Sequence, residues 1–199
     1  DDIGVLGPNV LLSHVLGLDE TEIGLIARTG TRAVMCPTAA VKTGAWEAAR
    51  GVLPRLLDHG VPVGLGTDSA NNSNLAETMR SVYLAAVLHK DTGQDAAAVS
   101  AETALEMATI QGARSLGLGE DIGSLEVGKK ADIVLFDTRR PEWRALFNPV
   151  NSLVYAADGR SVHTVIVDGR VVVEDHAPLF VDEWDLIQRV QSIGEDVLR

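Results

Sequence analysis

The feature that most limits the fold of this chain is a unit repeated three times between residues 10 and 88. Each unit is a short apolar run, a polar turn and an amphipathic helix pattern, and the runs cover residues 10–12, 32–36 and 61–65. Apolar runs that alternate with helices predict parallel β/α units. Because the carboxyl ends of parallel strands lie at one edge of the sheet, side chains that follow the runs are expected to meet there.

The helices of these units have recognisable boundaries. Asp19 and Glu22 form a capping box, and Gly30 predicts the end of that helix. After the second run, Pro37 and a loop of small residues are expected to precede a helix. Its apolar face would hold Trp46, Ala49, Leu53, Leu56 and Leu57.

Two more helices complete the first part of the chain. After the third run, a polar loop at residues 69–73 is expected to lead into a helix that begins at Asn74, with Glu77 three residues on. Its buried stripe would hold Leu75, Met79, Val82 and Ala86. A further helix is expected over residues 101–116, and a domain boundary follows it.

The remainder of the chain has a different pattern. β-Branched runs at residues 131–136, 164–167 and 170–173 predict strands, and Asp168-Gly169 predicts a tight hairpin between the last two. Asp182 is expected to cap a last helix, whose apolar face would hold Leu186, Ile187, Val190, Ile193 and Val197. The sequence thus divides into a β/α part at residues 1–117, a small β part at 118–180 and a C-terminal helix at 181–199.

Charge and composition exclude some classes of partner. The 199 residues carry a formal net charge of -11, which disfavours binding to nucleic acid or to an anionic membrane surface. No apolar run approaches the roughly 20 residues of a membrane helix. A single cysteine, Cys36, requires no oxidising compartment, and the expected location is the cytoplasm.

Three positions at the predicted strand ends are candidates for chemistry: His14, Cys36 and Asp68. Asp68 has the carboxylate to bind a metal and accept a proton from bound water, or it caps the next turn. His14 is a potential ligand or hydrogen-bond donor, or a structural histidine. Cys36 is a candidate nucleophile, but no His or Asn partner is visible by spacing, and a role as a small buried residue is the simpler interpretation. His59, His89, His163 and His176 are interpreted as solvated or structural, and Trp46, Trp143 and Trp184 as packing residues.

Three segments, at residues 12–14, 65–72 and 122–134, resemble segments of the amidohydrolase superfamily. Residues 122–134, Ile-Gly-Ser-Leu-Glu-Val-Gly-Lys-Lys-Ala-Asp-Ile-Val, are similar to the segment with which those chains leave a (β/α)8 barrel and enter a small β domain. Residues 12–14 and 65–72 resemble strands six and eight of that barrel. The resemblance implies an α/β fold: the C-terminal part of a TIM-like barrel, part of a small β-sandwich domain and a C-terminal helix.

The closest branch holds aminohydrolases and chlorohydrolases of small nitrogen heterocycles. The resemblance implies that Asp68 binds a metal and acts as general base, and that His14 orients the attacking hydroxide or ligates the metal. The implied metal is Zn²⁺, with Fe²⁺ as alternative. Lys42, Cys36 and Asn71 are the implied substrate-binding residues. Met35-Cys36-Pro37 and Ala39-Ala40 depart from the deaminase pattern, which disfavours a nucleoside-type substrate.

The resemblance also implies residues that this chain lacks. The His-x-His pair after strand one and the strand-five histidine with its glutamate are absent, and the chain opens with Asp1-Asp2-Ile3-Gly4, which is typical of the interior of a protein. We therefore expect the N-terminal half of the same protein as a partner, an inactive isolated segment and a homodimer of the complete protein. Two alternatives stay open: hydrolysis of a cyclic amide, and a non-catalytic domain that kept the scaffold.

Overall fold

A parallel sheet forms the centre of the first part of the molecule. In the computed structural model, which describes residues 2–45 and 50–197, strands β1 (Leu11–Ser13), β2 (Arg32–Met35) and β3 (Val63–Leu65) pair in parallel in that order. Helix α1 (Glu20–Thr29) connects β1 to β2. The predicted capping box is confirmed, since Asp19 and Glu22 exchange side-chain hydrogen bonds with each other's backbone, and Gly30 ends the helix at φ 70°.

The connection from β2 to β3 differs from the prediction. The segment expected to be a loop is helix α2 (Pro37–Thr43), because proline at its first position already has the φ angle of a helix. Helix α3 (Val52–Asp58) follows and buries Leu53 and Leu56, as expected. Trp46 and Ala49, predicted for the same face, lie outside the described residues.

The helix predicted to begin at Asn74 begins later. Helix α4 (Ala70–Ser73) replaces the expected polar loop, and Asn74 ends it with a left-handed φ of 54°. Helix α5 (Thr78–Gly93) starts four residues beyond Asn74 with Glu77 as its N-cap. The carboxylate of Glu77 accepts a hydrogen bond from the backbone N–H of Gly159 at 2.6 Å and does not form the expected capping box.

The helix predicted over residues 101–116 is two helices, α6 (Ala101–Met107) and α7 (Ile110–Leu116). The chain turns at Thr109, whose φ and ψ of -126° and -104° are not helical. Gly112 permits the turn, since a Cβ atom there would lie 2.9 Å from the carbonyl oxygen of Met107.

A second, antiparallel sheet contains β4 (Ile133–Phe136), β5 (Val162–Val167), β6 (Arg170–Glu174) and β7 (Ala177–Pro178), in that order. The Asp168-Gly169 hairpin is confirmed, with left-handed φ angles of 49° and 78°. Two 3-10 helices, Pro141–Trp143 and Gly159–Ser161, and helix α8 (Pro149–Tyr155) lie between β4 and β5.

Most of the buried apolar side chains form one cluster around the parallel sheet. Ile23, Met35, Leu56 and Met107 belong to it, and Val154 of α8 joins them because α8 packs against α5 and α6. The mixed α/β class is confirmed, while the boundaries at residues 117 and 180 stay predictions. No helix within residues 2–45 and 50–197 is both long and apolar enough to cross a membrane.

Helix α9 (Glu183–Val197) is capped by Asp182, as predicted. The Asp182 carboxylate accepts a hydrogen bond from the backbone N–H of Asp185 at 2.9 Å. Its apolar face is not buried against the described residues. Leu186 is 44% exposed and Ile193 62%. Trp184, expected to pack, is 69% exposed, whereas Trp143 is buried as expected.

Candidate active site at the carboxyl ends of the parallel strands

His14 and Asp68 meet at the carboxyl edge of the parallel sheet. His14 follows β1 directly, and its backbone N–H donates to the carbonyl of Val34 in β2 at 3.1 Å. Asp68 lies three residues beyond β3. The two side chains approach until Nε2 of His14 is 3.5 Å from Oδ2 of Asp68. The sequence placed both residues at strand ends, and the parallel register brings them together.

Two hydrogen bonds hold the Asp68 carboxylate. Oδ1 accepts from the backbone N–H of Ser69 at 2.5 Å, and Oδ2 accepts from Nδ2 of Asn72 at 2.6 Å. These bonds, the Ser69 bond first, lower the pKa of Asp68 below its usual value, and nearby His14 acts in the same direction. The carboxylate is therefore held in the charged form that binds a cation or accepts a proton.

Asn72 is a contact of Asp68 that the sequence pattern did not indicate. Asn71, one of the three residues predicted to bind substrate, is exposed, and the amide that bonds Asp68 belongs to Asn72. Ser69 is the N-cap residue of α4, so Asn72 lies about one helical turn after Asp68, and its amide reaches the carboxylate. That contact depends on the helical conformation of α4, which the sequence pattern does not indicate.

Lys42 contacts the same loop. Its Nζ donates to the backbone carbonyl of Asn72 at 2.5 Å and to Oδ1 of Asn74. Lys42 thus joins the last turn of α2 to helix α4. The predicted contact with substrate would compete with these two bonds for the same ammonium group.

Cys36 lies beneath the site. Its side chain is buried at the end of β2, and a Cβ atom added to Gly66 would lie 3.0 Å from its Sγ. Ser81 of α5 donates to the carbonyl of Gly66 at 3.0 Å, and Thr38 of α2 donates to the carbonyl of Thr67 at 3.3 Å. Cys36 therefore packs under the segment that leads to Asp68.

The donors present suit one part of a zinc site. Two ligands on a tetrahedral zinc, with Zn–N and Zn–O bonds of about 2.1 Å, stand about 3.4 Å apart. The observed 3.5 Å between His14 Nε2 and Asp68 Oδ2 is close to that value. Within residues 2–45 and 50–197, no group of three or more His, Cys, Asp or Glu side chains is arranged to hold a metal ion. A zinc ion with four ligands would need further donors.

The other histidines lie away from this edge. His59 ends α3, and His163 and His176 stack edge to face in the antiparallel sheet, their ring centroids 5.2 Å apart. His89 is buried in α5, and neither of its ring nitrogens has a hydrogen-bond partner among the described residues. Burial lowers its pKa from 6.5 to about 4, so it is neutral at pH 7. The interpretation of these four as solvated or structural stays a prediction.

The sequence matches proteins of one family. The model of the Amidohydrolase family matches residues 1–172. The 5-methylthioadenosine/S-adenosylhomocysteine deaminase of Syntrophobacter fumaroxidans is 36% identical over 197 residues, which are 99% of this chain and 44% of that protein. The 5'-deoxyadenosine deaminase of Methanothermobacter thermautotrophicus is 39% identical over 199 residues, 99% of this chain and 45% of that protein. The chain thus spans less than half the length of these relatives.

Solved structures have the same fold. The structure of a zinc-bound adenosine deaminase from Xanthomonas campestris superposes with a TM-score of 0.94 at 30% identity, covering 99% of this chain and 44% of that one. The atrazine chlorohydrolase of Arthrobacter aurescens, solved with zinc, gives a TM-score of 0.85 at 24% identity, covering 94% and 41%. At that identity the second match supports the fold alone.

Proposed function

Because the chain belongs to the amidohydrolase family, we propose that its full protein is a metal-dependent hydrolase that removes an amino, amine or chloride group from a small nitrogen heterocycle. The observation that carries the proposal is the approach of His14 Nε2 to Asp68 Oδ2, 3.5 Å apart at the carboxyl edge of a parallel sheet. That edge is where β/α folds assemble active sites. The fold proposed for the full protein is a TIM-like barrel with a small β-sandwich domain.

The two side chains have distinct proposed roles. A zinc ion, when bound, supplies an activated water at neutral pH. Asp68 would hold the ion through its carboxylate and accept the proton of the attacking water. His14 presents Nε2 beside that carboxylate, where it orients the nucleophile or acts as an additional ligand. Zinc is favoured because the structure of the adenosine deaminase that is 30% identical contains it, and Fe²⁺ is the alternative.

Deamination of an adenosine-type nucleoside is the activity to assay first. The relatives at 36% and 39% identity are named as deaminases of such compounds. The departures at residues 35–40 favoured another heterocycle, so s-triazines belong in the same assay. Cys36 and Thr38 lie beneath the site in the structure, which leaves Lys42 and Asn71 as proposed contacts to the substrate.

The remaining donors are proposed to come from the N-terminal half of the same protein. The described residues contribute two donors at the site, His14 and Asp68. The relative that is 36% identical matches 99% of this chain, but the match covers 44% of that relative's length. The described strands β1 and β3 each pair on one side only in the parallel sheet, so an adjoining segment has strand edges on which to continue it.

A homodimer of the complete protein and a cytoplasmic location are also proposed. Helix α9 carries Leu186, Val190, Ile193 and Val197 at the alternating spacing of four, three and four residues with which helices pair. All four are exposed, so a second copy would bury them. Light scattering on the full-length protein, compared with a Val190→Glu variant, tests this contact. A monomeric wild-type protein would contradict it.

The function is tested with the full-length product of the gene. Zinc content and deaminase and dechlorinase rates are measured for the wild type, Asp68→Asn and Asp91→Asn, the last being an exposed aspartate of α5. We expect about one zinc per chain and hydrolysis that falls by at least about 10³-fold only in Asp68→Asn. Two metals per chain with cyclic-amide hydrolysis would favour that alternative, and a folded, metal-free, inert protein would favour a non-catalytic domain.

A further inference from the structure

We propose that Asn72 is a positioning residue for Asp68, and that Lys42 holds Asn72 in place. The inference rests on the proposed function, since it assigns a role relative to the reacting carboxylate. It starts from three contacts: Asn72 Nδ2 to Asp68 Oδ2 at 2.6 Å, Lys42 Nζ to the carbonyl of Asn72 at 2.5 Å, and Lys42 Nζ to Oδ1 of Asn74.

The carboxylate of Asp68 needs a donor on each oxygen to keep one orientation. Ser69 donates its backbone N–H to Oδ1, and Asn72 donates its amide N–H to Oδ2. With both bonds present, rotation of the carboxylate about its Cβ–Cγ bond breaks at least one of them. The Asn72 bond acts on Oδ2, the oxygen that lies 3.5 Å from Nε2 of His14. Asn72 therefore fixes the oxygen that faces the other site residue.

The position of Asn72 depends on a contact from outside its own helix. Helix α4 has only four residues, and Asn74 ends it in a left-handed conformation, so the helix gains little stability from its own hydrogen bonds. Lys42 reaches it from α2 and binds the carbonyl of Asn72 and the side chain of Asn74. A lysine bound to the loop in this way acts on Asp68 through Asn72.

The alternative is that the Asn72 amide contacts the substrate directly. The two roles differ in kinetics. A lost substrate contact raises KM, whereas a misplaced reacting carboxylate lowers kcat and leaves KM nearly unchanged. They also differ in their response to an isosteric change: Asn72→Asp keeps the size of the side chain but places a second carboxylate against Asp68, where like charges repel.

The experiment compares Asn72→Ala, Asn72→Asp and Lys42→Gln in the full-length protein, with Asn151→Ala, an exposed asparagine of α8, as matched control. For each variant we measure kcat, KM, the rate of zinc loss to a chelator and the melting temperature. We expect kcat to fall about 10–100-fold in Asn72→Ala and further in Asn72→Asp, with KM within about three-fold of the wild type.

Zinc loss provides a readout independent of turnover. Outer hydrogen bonds to a metal ligand typically change metal affinity by about 10–100-fold, so we expect faster zinc loss from both Asn72 variants. Lys42→Gln should change kcat and zinc loss in the same direction by a smaller factor. Asn151→Ala should match the wild type in all four measurements, and every variant should melt as a folded protein.

The outcomes separate this inference from the proposed function. If Asp68→Asn is inactive while Asn72→Ala keeps the kcat and zinc loss of the wild type, Asn72 has no positioning role and the proposed function stands. A rise in KM at constant kcat would make Asn72 a substrate contact and overturn the inference. If the kcat of Asn72→Asp is no lower than that of Asn72→Ala, the hydrogen bond from Asn72 to Asp68 does not affect the reaction, and the inference is overturned. If Asp68→Asn keeps full activity, the proposed function itself fails.

Discussion

His14 and Asp68 both have left-handed backbone conformations, with φ angles of 55° and 63°, and their side chains meet at 3.5 Å. Neither residue is glycine, so each conformation costs free energy, on the order of 1–3 kcal/mol. The turns at the ends of β1 and β3 direct both side chains towards the same point. Strain at two strand ends on the same edge of a sheet is typical of functional sites, where geometry takes precedence over stability.

The backbone at His14 leads to a first prediction. Asparagine tolerates a left-handed conformation and valine does not. The free energy of unfolding of His14→Asn should therefore be close to that of the wild type, and that of His14→Val should be about 1–2 kcal/mol lower. Both variants lose the imidazole and should lose hydrolysis by about 10²-fold or more. Urea denaturation and steady-state rates measure the two effects separately. Equal stability of the two variants would show that the turn relaxes at no cost.

Much of this site was predictable from sequence, and the reason is local. Residues 10–14 and 61–68 pair an apolar strand pattern with a polar residue just beyond it, and parallel strands bring such residues to one edge. The contact of Asn72 with Asp68 was not predictable in the same way. Helix α4 has four residues and no hydrophobic periodicity, so its sequence is typical of a loop.

Tertiary contacts explain the other differences. Helix α5 begins at Thr78 and not at Asn74, since Asn74 ends α4 in a left-handed conformation. Its N-cap residue Glu77 bonds Gly159, which is 82 residues away in the chain. No local pattern contains that contact. The break between α6 and α7 likewise depends on the close approach of Gly112 to Met107, which a helix-length apolar pattern does not reveal.

The two hydrogen bonds of the α1 capping box should make separately measurable contributions to the free energy of unfolding. Glu22 N–H donates to the Asp19 carboxylate at 2.8 Å, and Asp19 N–H donates to the Glu22 carboxylate at 3.0 Å. Asp19→Ala removes the first bond and should lower the free energy of unfolding by about 1 kcal/mol. Glu22→Ala should cost less, and the double variant less than the sum, because the bonds share one turn. Strict additivity would contradict a reciprocal box.

Replacing Gly64 or Gly194 by alanine should change the free energy of unfolding in opposite directions. A Cβ atom at Gly64 in β3 would lie 2.7 Å from Oγ of Ser115 and 3.2 Å from the Cα of Gly112, so Gly64→Ala forces α7 away from the sheet. We expect a loss of about 1–3 kcal/mol. Gly194 in α9 has nothing within 4 Å of such an atom, and Gly194→Ala should stabilise the helix by about 0.5–1 kcal/mol. Thermal and urea unfolding measure both; a loss at Gly194 would indicate a close contact there.

The last prediction concerns acid stability and His89. Its side chain is 2% exposed, and burial lowers its pKa from 6.5 to about 4. Between those two pH values the unfolded chain binds a proton that the folded chain does not, so the free energy of unfolding falls as the pH falls. The stabilisation is complete above about pH 6.5 and is lost towards pH 4. Its upper limit is about 3.5 kcal/mol, since one pKa unit corresponds to about 1.4 kcal/mol.

His89→Leu isolates this contribution, because leucine has a similar volume and no proton to bind. The difference in unfolding free energy between the variant and the wild type should be constant above about pH 6.5 and should shift in favour of the variant below it. Arg50 and Asp95 line the cavity beside His89, so Asp95→Asn in both backgrounds shows whether a neighbouring carboxylate changes the slope. A difference that is independent of pH from 7 to 4 would mean that His89 is protonated in the folded protein as readily as in the unfolded chain.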